Sequence, residues 1–422
     1  MSFSDDAVSV SSSDESFDDQ MFARASKASS ATYRGVSILS SNTDRKTVLV
    51  TGGAGFVGSH TADALLTRGD SVVIIDEVND YYDTSLKNEN LEYLRATHGK
   101  DSFTFVKGDI CDEALLEKIF SEHKIDYVCH LAARAGVRPS IEDPQVYVHS
   151  NIRGTTALLS AAAKHKVKNF VYASSSSVYG GSKSTYFSED EAVDMPVSPY
   201  AATKKACELL AHTYSHLYNL PCTGLRFFTV FGERGRPDMA PFKFVDRISR
   251  GEGMQQFGDG SSSRDYTYIS DIVDGVVRSI DRPYKYQVFN IGKGSGTTLK
   301  DFISIVEKYT GKKANKTILP DQPGDVPRTC ASTEKATALL GYKAVVPFDE
   351  GIRQLVLWYN KKNGIANCHA VESVGHAFRS MRKRGRADGE GGKEVKEVKK
   401  ARMPASVSMD QIRIPGNLAS TF

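Results

Sequence analysis

The segment TVLVTGGAGFVG, residues 47–58, decides the fold of this chain. Its first five residues predict a buried strand, and the amphipathic run 56–68 predicts a helix that follows directly. Gly52, Gly55 and Gly58 lie between the two, where a tight turn, a close backbone approach to a pyrophosphate and close helix–strand packing all favour glycine. The segment therefore predicts the first strand–helix unit of a dinucleotide-binding fold, with phosphates at the helix N-terminus.

Asp76 follows the next strand-like run, 71–75, and stands eighteen residues after Gly58. A carboxylate at this place accepts hydrogen bonds from the adenosine ribose hydroxyls and repels a 2′-phosphate, so the sequence favours NAD over NADP. Two later loops fit the same pocket. Asp109, in the loop 108–110, is placed to hold the adenine amino group, and the small residues of the loop 131–133 let a cofactor pass close to the backbone.

Short β-branched runs alternate with longer amphipathic stretches from Thr47 onward. The predicted strands are 47–51, 71–75, 103–106, 125–131, 169–174 and 222–227, and the predicted helices lie near 56–68, 112–123, 144–166 and 199–218. This alternation predicts an α/β fold of the Rossmann type, a doubly wound parallel sheet with helices on both faces. We assign residues 46–228 to this NAD-binding domain.

The pattern becomes irregular after about residue 228. Short strands at 287–291 and 316–319 mix with helices near 239–250, 270–281, 298–309 and 349–361. We interpret residues 229–364 as mainly a smaller C-terminal α/β domain that binds the substrate at the carboxyl ends of the sheet.

Both ends of the chain have a different composition. Residues 1–45 are rich in Ser and Asp, and residues 379–402 carry ten Lys or Arg against four Asp or Glu. Such segments bury too little apolar surface to offset their ordering entropy, so 1–45 and 365–422 are predicted to be disordered tails.

Composition and charge exclude several classes of protein. With 422 residues, 40% hydrophobic and 25% charged, the chain is neither fibrous nor membrane-embedded. A net charge of +3 gives no basis for nucleic-acid binding, and the sequence holds no apolar run long enough for a membrane span. The six cysteines form no CxxC pair, which indicates free thiols and no metal site. We expect a cytoplasmic protein.

Tyr200 and Lys204 are four residues apart, after Pro199, which starts a helix well. The two side chains therefore share one helix face, and a neighbouring ammonium favours a phenolate that acts as general base. A run of four serines, residues 174–177, ends the preceding strand and places hydroxyls at the same sheet edge. One of them can bond the substrate oxygen that Tyr200 deprotonates.

Together these motifs resemble the extended short-chain dehydrogenase/reductase superfamily. TGGAGFVG at 51–58, HLAA at 130–133, SSSSVYG at 174–180 and the Tyr200/Lys204 pair occur in its order and spacing, over roughly residues 46–360. RFFTVFG at 226–232 and GRPDMA at 235–240 are similar to the UDP-glucuronate 4-epimerases within it.

The resemblance implies a role for individual residues. Three positions match the catalytic residues of the superfamily: Ser175, Tyr200 and Lys204. Positions that match its NAD contacts are Gly52, Gly55, Phe56, Val57, Gly58, Asp76, Asp109, Ile110, Leu131, Ala132, Ala133, Asn151, Tyr200, Lys204 and Phe227. Positions that match its substrate contacts are Ser175, Ser176, Ser177, Tyr200 and Thr229 for the sugar, and Arg138, Arg236, Arg264 and Asp325 for the nucleotide and diphosphate.

The resemblance also implies a reaction, 4-epimerisation of UDP-glucuronate through a 4-keto sugar with NAD as the bound cofactor. Related dehydratases and decarboxylases carry an acid before VYG, where this chain has Ser176 and Ser177. Three alternatives stay open: a 4-epimerase of a neutral UDP-sugar, a UDP-glucuronate decarboxylase or dehydratase, and an NAD-binding scaffold without activity. The superfamily's helix pairing further implies a homodimer.

Overall fold

A seven-stranded parallel sheet forms the centre of the fold. The computed structural model describes residues 30–33, 36–39, 45–320 and 326–367. From one edge to the other, the strands of the sheet are Tyr286–Ile291, Cys222–Phe227, Asn169–Ser175, Tyr127–His130, Thr47–Thr51, Ser71–Asp76 and Phe103–Lys107. The predicted Rossmann-type doubly wound sheet is confirmed.

Helices cover both faces of this sheet, because its central strands are apolar on both sides. Val48 and Val50 pack into one helix layer, whereas Leu49 between them packs into the other. The helices are Phe56–Arg68, Thr84–His98, Glu113–His123, Val137–Glu142, Pro144–Tyr147, Gly154–Lys164, Pro199–Tyr218, Ala240–Arg250, Ile269–Asp281, Leu299–Thr310, Glu334–Leu340 and Phe348–Asn363.

Two helical regions differ from the sequence prediction. The helix Thr84–His98 was not predicted, since only Leu91 and Leu94 of its apolar residues are buried and the rest of it is polar. The predicted helix 144–166 is interrupted, because residues Val148–Arg153 form a π-helical turn before the helix resumes at Gly154.

Smaller sheets lie beyond the carboxyl ends of the large one. Strands Gly296–Thr298, Ser263–Tyr268 and Thr229–Phe231 form one, and Gly253–Phe257 pairs in parallel with Asn315–Leu319. The region after residue 229 also returns to the large sheet, because Tyr286–Ile291 pairs with Cys222–Phe227. Residues 229–364 thus contribute to the central sheet as well as to the added layer.

The predicted tails lie mostly outside the described residues. Within 1–45, strands Ser30–Tyr33 and Val36–Leu39 form an antiparallel pair, so the prediction of disorder does not hold for these eight residues. Over the described part of the chain, no helix is both long and apolar enough to span a membrane. The five cysteines in that part are buried free thiols, as predicted.

Candidate active site

The strand order reverses between Thr47–Thr51 and Tyr127–His130, and a cavity of about 400 Å³ opens at the carboxyl ends of the strands around this point. In open α/β sheets this reversal splays the loops apart and creates a crevice for ligands. Loops from the glycine segment, from the serine run and from residues 227–239 line one continuous space. The sequence-predicted catalytic residues, and all the predicted cofactor residues except Asn151, therefore converge on a single site.

The glycine loop is shaped for an anion. Gly52 has a φ of +68°, and a Cβ there would lie 2.7 Å from the Ala132 backbone. A Cβ on Gly58 would lie 2.1 Å from the Gly52 carbonyl oxygen. Gly55 has an ordinary extended backbone, and a Cβ there would come no closer than 3.2 Å to any protein atom outside its neighbours. Gly52 and Gly58 are thus required by the fold, whereas glycine at 55 leaves space for a ligand.

Gly55 also begins the helix Phe56–Arg68 without a side-chain cap or an acid in the first turn. The first backbone N–H groups of that helix therefore keep their hydrogen-bonding capacity for a bound anion.

The Asp76 carboxylate lies under this loop. It accepts hydrogen bonds from the Ala54 N–H at 3.0 Å and the Val78 N–H at 2.8 Å, and it is only 9% exposed. Burial raises the pKa of Asp76, against the opposing effect of these bonds and of Lys87. Asp76 lines the cavity as predicted. It also holds the glycine loop in place, a role that the sequence did not reveal.

His130 supports the loop 131–133 from below. The Thr51 hydroxyl accepts the Ala132 N–H at 3.1 Å and lies 2.8 Å from His130 Nδ1, while His130 Nε2 lies 2.9 Å from the Thr155 hydroxyl. Burial and the nearby Lys204 lower the pKa of His130 to about 3, so the ring is neutral.

Asn151 does not line the cavity, contrary to its predicted role as an NAD contact. It is 1% exposed, accepts the Arg134 N–H at 2.9 Å and donates to the Arg134 carbonyl and the Thr203 hydroxyl, each at 3.0 Å. Asn151 therefore joins the loop after strand Tyr127–His130 to the helix Pro199–Tyr218. It positions these two elements and does not contact the cavity itself.

Asp109 and Ile110 line the opposite end of the cavity, where adenine recognition was predicted. Asp109 accepts the Cys111 N–H at 2.9 Å, and its other oxygen lies 2.8 Å from His149 Nε2. Partial burial favours a higher pKa for Asp109, but the contacts with His149 and Cys111 lower the pKa on balance.

The catalytic candidates meet where the helix Pro199–Tyr218 crosses the sheet edge. Ser198 caps this helix by accepting the Ala201 N–H at 3.1 Å, and Pro199 is its first residue. Lys204 is 3% exposed and donates to the Ala173 carbonyl at 2.8 Å. Ser175, Tyr200 and Lys204 all line the cavity.

A buried ion pair holds the catalytic strand and helix together. Arg226 donates to both oxygens of Glu208, at 2.8 and 2.9 Å, and Ser174 donates to Glu208 at 2.7 Å. Arg226 also donates to Tyr179, whose hydroxyl donates to Asn290 at 2.7 Å. The network fixes the serine run relative to the helix of Tyr200. Sequence reasoning missed it, because its members are scattered over five elements.

The predicted sugar contacts Ser176, Ser177 and Thr229 line the cavity near Tyr200, as does Arg236. Arg236 binds Asp238 at 2.5 Å and the Ala135 carbonyl at 3.1 Å, which joins the loops on either side of the cavity.

Two predicted diphosphate contacts lie elsewhere. Arg138 packs over the Phe257 ring at 5.2 Å, and Arg264 donates to the Ser263 carbonyl at 3.0 Å; neither lines the cavity. Asp325 lies outside the described residues.

Tyr81 and Lys87 line the cavity and were not predicted. Tyr81 donates to the Ala135 carbonyl at 2.7 Å, and buried Lys87 donates to the Asn79 carbonyl and side-chain oxygens, both at 2.7 Å. Both belong to the loop and helix after Asp76, where the polar sequence gave no periodic signal.

Comparison with known proteins agrees with this geometry. The family model described as GDP-mannose 4,6 dehydratase matches residues 49–355. The chain is 44% identical over 316 residues to a UDP-glucuronate 4-epimerase of Thermodesulfobacterium geofontis, covering 75% of this chain and 96% of that protein.

Solved structures share the fold. One is a UDP-glucuronic acid 4-epimerase from Bacillus cereus in complex with UDP-glucuronic acid and NAD, with a TM-score of 0.70, 38% identity, and coverage of 75% of this chain and 99% of that one. Another is a Thermotoga maritima UDP-glucose 4-epimerase with UDP-glucose, with a TM-score of 0.69, 32% identity, and coverage of 75% and 99%.

Proposed function

The chain belongs to the GDP-mannose 4,6 dehydratase family, within the extended short-chain dehydrogenase/reductases, and is an NAD-dependent nucleotide-sugar epimerase; we propose that it converts UDP-glucuronate to UDP-galacturonate through a 4-keto sugar. One observation supports this substrate most directly. The polar side chains of the serine run, the helix of Tyr200 and residue 229 that line the cavity are hydroxyls and one ammonium, whereas the acids among the described lining residues are Asp76, Glu77 and Asp109, from the loops that receive the cofactor.

The residues present fit NAD. The space at Gly55 and the uncapped helix behind it suit a pyrophosphate, and Asp76 at the end of its strand suits a ribose without a 2′-phosphate. When bound, NAD would supply reversible hydride transfer at carbon 4 of the sugar. Gly52, Gly55, Phe56, Val57, Gly58 and Asp76 would hold its phosphates and adenosine ribose, and Asp109 with Ile110 its adenine.

Tyr200 is the proposed base. Its phenol oxygen takes the proton of the sugar 4-hydroxyl as the ketone forms, and gives a proton back when the alcohol is restored. Ser175 provides a hydrogen bond to the same sugar oxygen. Its hydroxyl already accepts the Ser177 N–H at 3.1 Å and lies 3.1 Å from the Ser177 hydroxyl, so its orientation is set before substrate binds.

Lys204 contributes a buried positive charge beside the base. One of its three N–H groups bonds the Ala173 carbonyl, which fixes the ammonium and leaves two for the cofactor and the phenol. The buried ammonium favours development of negative charge on the Tyr200 oxygen.

The substrate carboxylate decides between epimerisation and decarboxylation. A 4-keto glucuronate is a β-keto acid. It loses CO₂ when the bond between carbon 5 and the carboxylate lies parallel to the π orbitals of the 4-keto group. Hydroxyls of Ser176, Ser177 and Thr229 can bond that carboxylate and keep it out of this alignment. Among the described residues that line the cavity around Tyr200, none is a carboxylic acid that could assist the elimination of water.

The test is a product assay on the purified full chain. UDP-glucuronate should be converted to a mixture with UDP-galacturonate, resolved by anion-exchange chromatography, without added NAD. Appearance of a UDP-pentose would identify a decarboxylase, turnover of UDP-glucose alone a neutral-sugar epimerase, and no product from any UDP-sugar a non-catalytic scaffold. Each of these three results overturns the proposal.

We also propose a homodimer, formed by the helix Pro199–Tyr218. Leu209, Leu217 and Tyr218 are 58%, 61% and 58% exposed on it, and such apolar exposure marks interaction surfaces. The cytoplasmic location predicted from the sequence remains a prediction.

A further inference from the structure

Asp109, Cys111 and His149 form a cluster of potential metal ligands at the adenine end of the cavity, called here the Asp–Cys–His cluster. One ligand atom from each lies within 4.8 Å of the other two. Asp109 and Cys111 come from the loop after strand Phe103–Lys107, and His149 comes from the π-helical turn Val148–Arg153. The proposed reaction uses neither Cys111 nor His149.

The Asp109 and His149 side chains face each other, and the Cys111 thiol bonds the backbone of His149. Asp109 Oδ2 lies 2.8 Å from His149 Nε2, and the Cys111 thiol donates to the His149 carbonyl at 3.3 Å. A histidine–aspartate pair on a surface is ordinary, but here the sulfur of the buried Cys111 lies within 4.8 Å of both ligand atoms. No second such group of His, Cys, Asp or Glu occurs in the described ranges 45–320 and 326–367.

The donor set selects the kind of metal ion. Thiolate and imidazole ligands suit Zn²⁺ and similar transition ions, whereas Mg²⁺ and Ca²⁺ prefer all-oxygen sites. With metal–ligand bonds of about 2.0–2.3 Å, ligand atoms of a tetrahedral site lie roughly 3.3–3.8 Å apart. The Asp109–His149 pair, at 2.8 Å, must therefore open slightly, and the longest ligand–ligand separation, at most 4.8 Å, must shorten by up to about 1 Å.

Two of the three side chains are free enough to make that movement. The side chains of His149 and Asp109 are 45% and 41% exposed, and Cys111 is 7% exposed. The Cys111 sulfur is buried and stays in place. The exposed side chains of His149 and Asp109 rotate to bind an ion that the sulfur also contacts.

We propose that the Asp–Cys–His cluster binds one Zn²⁺-type ion, with water as the fourth ligand. The Cys111 S–H bond breaks as the S–metal bond forms, and the proton goes to solvent. One thiolate, one carboxylate and a neutral imidazole then balance the two charges of the ion.

The Asp–Cys–His cluster overlaps the place where we expect the adenine of NAD to bind. Asp109 lines the cavity, whereas Cys111 and His149 do not, so a metal ion on Asp109 removes the predicted acceptor for the adenine amino group. Metal and dinucleotide therefore compete. This second step rests on the proposed function, because it requires NAD in the cavity.

The direct test is a Co²⁺ titration of the full chain, with and without added NAD. Wild type should develop visible d–d bands and a near-ultraviolet thiolate-to-cobalt charge-transfer band, both abolished by one equivalent of Zn²⁺. Cys111→Ser should lose the charge-transfer band, and His149→Asn should bind about 10-fold more weakly or worse. The matched variants Cys330→Ser and Cys368→Ser should behave like wild type.

Absence of the charge-transfer band under both conditions, or its persistence in Cys111→Ser, overturns the site. For the competition, Zn²⁺ should release NAD from wild type but not from Cys111→Ser, as measured in the filtrate. Equal retention by both proteins overturns the competition. The NAD content before metal is added reports separately on the proposed function, since a protein that carries none contradicts that function and not the metal site.

Discussion

At the scale of single residues, Tyr200 carries the largest share of the proposed chemistry. Tyr200→Phe should lower turnover by about 10²–10⁴-fold, because the proton acceptor is lost. The ring should stay in place, packed edge-on against Tyr147 at 6.1 Å, so UDP-glucuronate binding should change little. Initial rates and calorimetric binding measure the two effects. Ser175→Ala should cost less, since it removes a hydrogen bond and leaves the base.

Tyr214→Phe is the matched control, since Tyr214 lies on the same helix and its hydroxyl contacts Ser160 instead of the cavity. If Tyr200→Phe retained most of the wild-type rate while Tyr214→Phe behaved normally, another group would be the base. The assignments of Ser175, Tyr200 and Lys204 would then have to be withdrawn.

The lowered pKa of His130 predicts how the free energy of unfolding depends on pH. Its pKa falls from 6.5 to about 3 on folding, because burial and Lys204 disfavour the charged ring. The unfolded chain therefore binds one more proton between these values. His130 contributes stability that is complete above pH 6.5 and is lost as the pH falls toward 3, by about 1.4 kcal/mol per pH unit.

Urea unfolding at pH 7 and pH 5 measures this contribution. His130→Gln should be less stable than wild type at pH 7 and should lose less of its unfolding free energy on acidification. The control His216→Gln changes an exposed histidine and should keep the wild-type slope. An unchanged slope in His130→Gln would show that other groups cause the acid sensitivity.

Sequence reasoning at this scale was most successful where chemistry requires a particular residue type at a fixed spacing. Gly52, Tyr200 and Lys204 are recognisable for that reason, and all three line the cavity. Asn151 was misplaced, because the sequence cannot tell which face of an interrupted helix a side chain occupies. Arg138 and Arg264 were misplaced because the sequence does not show which way the long side chain of an arginine extends from its helix or strand.

Among the structural elements, the glycine loop contains one glycine that folding requires, Gly58, and one that we expect NAD binding to require, Gly55. Gly58→Ala should destabilise the chain by roughly 1–3 kcal/mol, because its Cβ would meet the Gly52 carbonyl oxygen at 2.1 Å. Gly55→Ala should cost less stability than Gly58→Ala, since its Cβ would meet the same carbonyl oxygen at 3.2 Å, a contact that a shift of a few tenths of an ångström relieves, but it should lose NAD. Melting temperature and the NAD released on denaturation measure the two effects.

Gly53 gives a further comparison, because a Cβ there would meet only the Ile74 side chain, at 2.5 Å, which lies in the core and not in the cavity. Gly53→Ala should therefore affect stability more than NAD content. If Gly55→Ala retained full NAD content, the space at residue 55 would not receive the pyrophosphate.

The sequence predicted the six strands from 47 to 227 because each is a compact β-branched run between turn residues. The helix Thr84–His98 was not predicted, since a mostly polar helix with two buried leucines has little hydrophobic periodicity. The break in 144–166 was equally invisible, because the π-helical turn Val148–Arg153 changes the hydrogen-bond register without a glycine or proline inside it.

For the whole molecule, the exposed apolar residues of the helix Pro199–Tyr218 predict self-association. Leu217→Glu should turn a dimer into a monomer, because a charge would replace a side chain that is 61% exposed in the single chain and buried in the proposed interface. Sedimentation velocity measures the change. Ile318→Glu, at a residue 67% exposed on another element, should leave the dimer intact. A wild-type monomer at micromolar concentration would contradict the prediction.

The composition of the terminal segments predicts that they can be removed without loss of activity. A chain of residues 30–367 should keep wild-type turnover and melting temperature, because the removed segments have the composition of tails and the site residues described all remain. Ending at 367 retains the Ile365 N–H bond to the Asn360 carbonyl at 2.9 Å and the contact between the Asn360 and Asn367 side chains at 3.1 Å, which close the last helix.

A second chain, residues 45–367, isolates the contribution of the strands Ser30–Tyr33 and Val36–Leu39. The sequence assigned them to a dispensable tail, whereas the structure pairs them with each other and places the second beside the helix Ile269–Asp281. Because that helix belongs to the main core, the shorter chain should melt at a lower temperature while its turnover per folded molecule stays unchanged. Calorimetry and initial rates decide the matter. Equal melting temperatures would show that the strand pair adds no stability, and lost turnover at full stability would place residues 30–44 in the active site.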